Sequence, residues 1–159
     1  MKLASSFFSM FVLAACGGMV STQNDSGTTQ PDSSVQSNGG VVIRTCGPTD
    51  GIVHEFSFAP GGDLTCQSPM IADDTMTVTL DSQLTGPAKI DLAPNGKGTA
   101  EVCTFVGCQT ATQGTLDVTT FDLSKNVASG TYTFTTPDAK VHSASFTNIP
   151  ICANTVTCG

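Results

Sequence analysis

The chain has 159 residues, of which 12% are charged, and its formal net charge is −7 at pH 7. This length allows one domain with a modest hydrophobic core. A nucleic-acid-binding surface needs clustered Lys and Arg to displace counterions from phosphates, and the six basic residues here are scattered singly. Composition therefore excludes nucleic acid as a partner, and it equally excludes an electrostatic attraction to anionic lipid headgroups.

The N-terminus has the pattern of an export signal. One lysine is followed by an apolar run over residues 3–15, which is too short to cross about 30 Å of hydrocarbon as a helix but suits a secretory signal. The run ends in Leu13-Ala14-Ala15-Cys16, and two glycines follow. We therefore predict that residues 1–15 are a signal peptide.

Leu13-Ala14-Ala15-Cys16 resembles the lipobox of bacterial lipoproteins, in which an aliphatic residue and two small residues precede the cysteine. The resemblance implies that diacylglycerol is linked to Cys16, that signal peptidase II cuts before it, and that a fatty acid such as palmitate acylates the new N-terminus. Two or three acyl chains form a nearly permanent anchor, because each buried methylene contributes about 0.8 kcal/mol. Gly17 stands where lipoproteins retained in the inner membrane typically carry Asp, so the resemblance also implies the outer membrane as the destination.

The number of cysteines bears on the same assignment. The chain has seven, and ordinary signal cleavage would leave Cys16 as a reactive free thiol in an exported protein. Assigning Cys16 to lipid leaves an even set, which an oxidising compartment pairs as three disulfides. That set is Cys46, Cys66, Cys103, Cys108, Cys152 and Cys158.

Proximity in the sequence favours a Cys103–Cys108 disulfide, since four intervening residues can close a tight loop. Cys46–Cys66 and Cys152–Cys158 would complete a sequential pattern. Strands that are neighbours in a sandwich need not be neighbours in the sequence, so the other pairings stay open at this point.

Residues 16–40 are predicted to be the lipidated cysteine and a flexible tether. They are rich in Ser, Thr, Gly and Asn and have few side chains that could pack, so they cannot bury enough surface to offset the cost of ordering. Gly/Ser-like statistics give a segment of this length a reach of roughly 25 to 30 Å. Residues 41–159 are predicted to form a single domain.

Alternation of apolar and polar side chains predicts β-strands in this domain. In "TMTVTLD" it puts Met76, Val78 and Leu80 on one face. The predicted strands are residues 52–58, 75–81, 88–93, 99–106, 114–123, 130–136 and 140–149. No window shows a helical apolar stripe. About seven to nine strands of this kind predict an antiparallel β-sandwich or a flattened barrel stapled by disulfides.

Turn residues predict some of the connections. Asn95-Gly96 is predicted to supply positive φ angles in a turn that pairs residues 88–93 with residues 99–106. "TPDAK" is predicted to join the last two strands as a hairpin, and a break in the alternation near Thr119-Thr120 predicts a β-bulge. The stretches "RTCGPTDG" and "GTYTF" resemble cysteine-bearing lipoproteins of deltaproteobacterial type, and this resemblance implies no activity.

Catalytic signatures are absent from the sequence: there is no Gly-x-Ser-x-Gly, Ser-x-x-Lys or His-Glu-x-x-His motif. His54 and His142 would form a metal or acid–base pair only if their strands were neighbours, and solvated or strand-paired histidines are the favoured interpretation. Cys103-x4-Cys108 and Cys152-x5-Cys158 do not form two matching zinc knuckles, and an exported chain oxidises its thiols, so disulfides are favoured over zinc. Asp73-Asp74 is the densest acidic cluster and a weak calcium candidate, with a solvated turn as the favoured alternative. We predict no catalytic residue and no cofactor.

Sugar recognition by aromatic platforms is disfavoured by the composition. The chain has no Trp, and its one Tyr, Tyr132, lies inside a predicted strand. The phenylalanines outside the signal peptide fall at strand positions and are assigned to the core: Phe56, Phe58, Phe105, Phe121, Phe134 and Phe146.

Two classes of function remain. The favoured one is a lipid-anchored binding or structural module of the cell envelope that recognises a protein or polymer partner, with the membrane contacted through the lipid on Cys16. The alternative is a small hydrolase-like envelope enzyme, or an inhibitor of an enzyme, without a recognisable motif. The small number of acids and bases and the Thr-rich polar faces favour the binding module over an enzyme.

Overall fold

Nine strands in two antiparallel sheets make up the part of the chain that the computed structural model describes, residues 39–47, 51–60, 64–67, 75–153 and 156–158. The strands are β1 (Gly40–Cys46), β2 (Ile52–Phe58), β3 (Thr75–Leu80), β4 (Ala88–Asp91), β5 (Gly98–Thr104), β6 (Gly107–Thr110), β7 (Gln113–Asp122), β8 (Val127–Thr135) and β9 (Val141–Pro150). The predicted all-β sandwich is confirmed. The signal peptide, Cys16, nearly all of the tether and the Asp73-Asp74 pair lie outside the described residues.

The two sheets have the strand orders β1-β2-β3-β5-β6 and β4-β7-β8-β9. Among the described residues, no helix is long and apolar enough to cross a membrane. The predicted hairpin between β8 and β9 is confirmed, and so is the bulge, because the β7–β8 register shifts between Val118 and Thr120.

The predicted pairing of residues 88–93 with 99–106 is wrong. β4 pairs with β7, and β5 pairs with β3, because the turn over residues 92–97 carries the chain from one sheet to the other. Neither Asn95 nor Gly96 has a positive φ. Gly96 is needed for a different reason: a Cβ atom there would collide with the main-chain oxygen of Asp91, which accepts a hydrogen bond from the Lys97 amide at 3.0 Å.

The core lies between the two sheets and is built around aromatic rings. Phe58 of β2 packs against Tyr132 of β8 and Phe146 of β9, with ring centroids 4.7 and 5.2 Å apart. The Tyr132 hydroxyl, which is buried, donates to the sulfur of Met76 at 3.5 Å. Met76 is buried together with Val78 and Leu80 on β3, so the predicted inner face of this strand is confirmed.

Three disulfides connect Cys46 with Cys158, Cys66 with Cys152 and Cys103 with Cys108. The short pair is the one that sequence proximity favours, whereas the sequential pattern is wrong for the other four cysteines. The sequential pairing is wrong because the C-terminal segment runs alongside β1, where Ile151 forms a parallel bridge with Val42. This arrangement brings residues near the two ends of the domain together. Three disulfides are compatible with an oxidising, exported location.

Candidate functional site

The β5–β6 hairpin ends in residues 104–107, here called the hairpin tip. Phe105 is 86% exposed and Val106 is 99% exposed, far more than any other large apolar side chain that the structure describes. Single exposed apolar residues are ordinary on protein surfaces, but an exposed aromatic ring beside an exposed aliphatic side chain marks a contact surface. The hairpin tip is therefore the first element of the candidate site.

The hairpin tip is held in shape by covalent and hydrogen bonds. Cys103 and Cys108 lie directly opposite each other across β5 and β6, and their disulfide closes the hairpin behind a two-residue loop. The Thr104 hydroxyl accepts a hydrogen bond from the Val106 amide at 3.3 Å and donates to the Gly107 carbonyl at 3.3 Å. Gly107 has a φ of 144°, which side-chain-bearing residues rarely adopt. The loop thus presents Phe105 and Val106 in one conformation.

The prediction that Phe105 belongs to the core is wrong. The alternation in "TAEVCTFV" predicts one strand over residues 99–106, whereas β5 ends at Thr104 and the chain reverses at the next two residues. The signal that marks the reversal is the pair of cysteines separated by four residues, the last of which is a glycine. The other five phenylalanines assigned to the core are buried.

A small cleft, here called the end cleft, opens between the hairpin and the β8–β9 turn. Its volume is about 80 Å³, well below the ~300 Å³ or more of typical small-molecule sites. Such a volume accommodates one side chain of a partner rather than a sugar or a cofactor. The residues that line it are Val102, Thr104, Gly107, Gln109, Thr136, Asp138, Lys140 and His142.

The β8–β9 side of the end cleft is a tight turn stabilised by its own polar groups. Thr136 donates from its hydroxyl to the Asp138 carboxylate at 2.6 Å, and the Lys140 amide donates to the same oxygen at 3.3 Å. These two hydrogen bonds, the first above all, lower the pKa of Asp138. Ala139 completes the turn with a φ of 64°. Asp138 is therefore ionised at neutral pH and committed to the turn.

His142 lies against this turn, stacked on Phe134 with ring centroids 5.1 Å apart. Its Nε2 is 3.5 Å from the hydroxyl oxygen of Thr136. Burial lowers the pKa of His142, and the Lys140 charge lowers it further, against an opposing effect of Asp138. The Thr136 hydroxyl is buried and donates to a carboxylate instead of to the imidazole, so this group is not arranged as a nucleophile with a general base.

Lys140 supplies the positive charge of the end cleft. Its side chain is exposed, and no carboxylate of the described residues lies within ion-pairing distance of its ammonium group. The ion pair between Lys125 and Asp122 lies at the opposite end of β8. The end cleft thus offers an available cation beside an apolar tip.

His54 lies far from His142. It is fully buried on β2, where its Nδ1 accepts a hydrogen bond from the Leu84 amide at 3.0 Å and its ring packs edge-on to Phe121. His54 packs on Phe121, which pairs with Ala128 of β8, whereas His142 stacks on Phe134 of the same strand. Ala128 and Phe134 are six positions apart, which is about 20 Å at the rise of a strand. The two histidines therefore form no acid–base or metal pair. No group of three or more metal-ligating side chains occurs among the described residues.

Stability should decrease on mild acidification because of His54. Burial, and secondarily the charge of Arg44, lowers its pKa in the folded state, so the unfolded chain binds the proton more tightly. Unfolding should thus become easier as the pH falls below about 6.5, the ordinary value for histidine. Thermal melts between pH 7.5 and 5.5 would show this dependence of the melting temperature on pH. Asp122, with its pKa of about 2, titrates well below this range and does not contribute to it. His54→Asn should reduce the slope of the melting temperature against pH. The pKa of His142 is lowered too, so His142→Gln measures the part of the slope that His142 contributes. A slope in His54→Asn as steep as that of the native chain would contradict the assignment.

The comparisons with known proteins found no match among protein-family models, curated proteins or solved structures, so the candidate site is interpreted from its geometry alone. The site that the structure presents is a rigid apolar tip beside a small cleft that contains one available cation. Such a site is suited to contact and not to covalent chemistry.

Proposed function

We propose that this chain is a lipid-anchored binding module of the bacterial cell envelope that recognises a protein partner through the hairpin tip and the end cleft. The observation that carries the proposal is the exposure of Phe105 and Val106 on a loop closed by the Cys103–Cys108 disulfide. Burying a Phe side chain against a partner contributes roughly 1.5–3 kcal/mol. A loop that is already rigid avoids most of the ordering cost of binding.

A protein is favoured over a polysaccharide or a bilayer as the partner. Phe105 is the one exposed aromatic ring among the described residues, and the end cleft beside it, at about 80 Å³, is too small to enclose a sugar. A bilayer surface would call for several basic residues around the apolar tip, whereas Lys140 shares the end cleft with Asp138. Aromatic anchors beside single charges are typical of the energetically dominant contacts of protein interfaces.

The pairing of the other cysteines supports the proposed lipid anchor on Cys16. The six that follow Cys16 in the sequence are all used in three disulfides, which leaves Cys16 without a partner within the chain. Its lipobox-like context provides a chemical use for that thiol, and Gly17 supports the outer membrane as the destination. Lipidation would hold the module at the envelope while the tether lets the domain stand off the membrane.

Cys16→Ser should abolish processing and anchoring. We expect an uncleaved precursor that takes up no radioactive fatty acid and stays in the aqueous phase on detergent partitioning, because only a thiol accepts the lipid. The double variant Cys103→Ser/Cys108→Ser also removes cysteines but keeps Cys16, so it should still be labelled and anchored. A native mature chain that begins at another residue and has no acyl mass would disprove the anchor.

A photo-cross-linking amino acid in place of Val106 should capture a protein partner in intact cells, whereas the same probe in place of Leu123 should not. Leu123 is a matched control because it is 41% exposed and follows β7, at the opposite end of the sandwich from the end cleft. Adding Phe105→Ser to the Val106 probe should reduce the cross-linked yield about tenfold or more, since tenfold corresponds to about 1.4 kcal/mol.

Two results of this experiment would contradict the proposal. Equal cross-linking from Val106 and Leu123 would mean that the hairpin tip is not a specific contact surface. Adducts with lipid alone would assign the tip to the membrane instead of to a protein.

A further inference from the structure

We infer that the partner enters as an extended polypeptide segment that pairs with the free edge of β6 as an added strand. This inference rests on the proposed function, because it specifies how the hairpin tip and the end cleft are occupied. Strand addition satisfies the main-chain groups of a sheet edge, and pockets beside the edge select alternate side chains.

Of the other three edge strands, β1 and β4 are protected, and β9 is interrupted by Asn148, which has a φ of 53°, and ends at Pro150. β1 is covered by the C-terminal segment, where the Cys152 amide donates to the Val42 carbonyl at 2.7 Å, and this segment continues directly from β9. β4 carries Lys89 and Asp91, and charged residues discourage edge pairing. β6 reads GCQT, is exposed at all four positions and has no charge, proline or bulge. No described segment pairs with its outer side.

Main-chain groups of β6 point to the free side at alternate positions. The Ala111 amide donates to the Ala100 carbonyl at 2.8 Å, so this pair is hydrogen-bonded. In an antiparallel ladder hydrogen-bonded pairs alternate with non-hydrogen-bonded pairs. Gln109 pairs with Val102, two positions from the Ala111–Ala100 pair, so the main-chain groups of Gln109 bond to β5. The N–H and C=O groups of its neighbours Cys108 and Thr110 therefore point away from β5. Those four groups are the hydrogen-bonding positions for an added strand.

The side chains around this edge specify the chemistry of the segment. Gln109 and Val102 line the end cleft, so one face of an added strand would turn its side chains toward Lys140. Since Lys140 has no ion-pairing carboxylate among the described residues, an acidic side chain on that face complements it. Phe105 and Val106 at the end of the hairpin complement an apolar residue of the same segment. The occupant is thus an extended segment with at least one acidic and one apolar residue.

The test uses dodecapeptides selected from a random library on the full chain in detergent micelles. We expect the selected peptides to share an acidic and an apolar position. Methylating their main-chain nitrogens one at a time should weaken binding about tenfold at two residues that lie two positions apart, opposite the outward carbonyls of Cys108 and Thr110, and should leave the residue between them unaffected. This alternation arises because only every second N–H of a strand faces β6.

Thr110→Pro supplies the matched change on the protein, with Thr110→Ala as its control. Both variants lose the hydrogen bond from the Thr110 hydroxyl to Glu101, which measures 3.1 Å. Only proline also removes the outward N–H, and proline is tolerated where the N–H of an edge strand faces solvent. We expect peptide affinity to fall about tenfold in Thr110→Pro and to stay unchanged in Thr110→Ala. If Thr110→Pro has a much lower melting temperature than Thr110→Ala, a loss of affinity could come from misfolding, and the methylation scan is then the test of strand addition.

The outcomes separate the inference from the proposed function. Peptides that bind without the alternating methylation pattern but are weakened by Phe105→Ser would overturn strand addition and leave the proposed function standing. A selection that yields no peptide would overturn strand addition in the same way, provided that the Val106 probe still captures a protein in cells. Cross-linking of Val106 to a second copy of this chain, lost in Thr110→Pro, would assign the edge to self-association and overturn the inference. Absence of any specific Val106 cross-link would overturn the proposed function itself.

Discussion

Replacing Cys46 and Cys158 with serine should lower the free energy of unfolding by about 3–4 kcal/mol. The Cys66–Cys152 disulfide lies within the span from Cys46 to Cys158, so with it intact Cys46–Cys158 closes an effective loop of about 26 residues, the difference between the sequence separations of 112 and 86. A disulfide restricts the unfolded chain more strongly as the closed loop lengthens. Small domains have only about 5–15 kcal/mol of stability in total, so this loss is a large fraction of it. The melting temperature should fall by more than about 10 °C.

The matched control for this experiment is the double variant Cys103→Ser/Cys108→Ser. These cysteines are only 5 residues apart, so the same loop-closure argument gives about 2 kcal/mol. Urea unfolding of the native chain and both variants measures the two losses under one condition. If the short-loop variant were destabilised as much as the long-loop variant, the long disulfide would not act on the domain as the structure implies.

Phe58→Ala should lower the free energy of unfolding by about 3–5 kcal/mol, as expected for a buried aromatic side chain that leaves a cavity. Phe58 is fully buried, and its ring contacts Phe56 within its own sheet and Tyr132 and Phe146 of the other sheet. Its truncation therefore removes a contact between the two sheets. Phe58→Leu fills part of the cavity and should cost less. Urea unfolding measures both changes.

Leu123→Ala is the control for the core substitution, because Leu123 is a partly exposed apolar residue at the far end of the sandwich. We expect it to change the free energy of unfolding by no more than about 0.5 kcal/mol. A Phe58→Ala variant that is no less stable than Leu123→Ala would contradict the described core.

Strands with one buried face could be predicted from the sequence, because burial imposes the alternation that identifies them. β3 alternates over most of its length and departs from its prediction by one residue. β2 spans the predicted residues 52–58 although side chains on both of its faces are buried. β1 was not predicted, since Val41 and Val42 are both buried and the strand does not alternate. β6 was not predicted either, because it has no buried side chain and so no apolar signal.

Features that depend on distant contacts could not be predicted. Asn95-Gly96 is a local signal for a hairpin, but whether β4 pairs with β5 or with β7 depends on the packing of the two sheets. The partners of Cys46 and Cys66 likewise depend on the return of the C-terminus to β1. The candidate site was missed for a related reason: the alternation that predicts β5 continues through Phe105, and only the hairpin register shows that the ring lies outside the core.

The position of β1 and β6 at opposite edges of one sheet has a mechanical consequence. In the proposed arrangement the tether pulls on Gly40 at the start of β1, while the partner pulls on β6, so any tension between the envelope and the partner crosses the whole five-stranded sheet. Cys103–Cys108 makes the last strand pairing on that path covalent, and Cys46–Cys158 ties the end of β1 to the C-terminal segment. The β1–β2, β2–β3 and β3–β5 pairings on that path have no disulfide between the paired strands, so we expect tension to separate one of them before it separates β5 from β6.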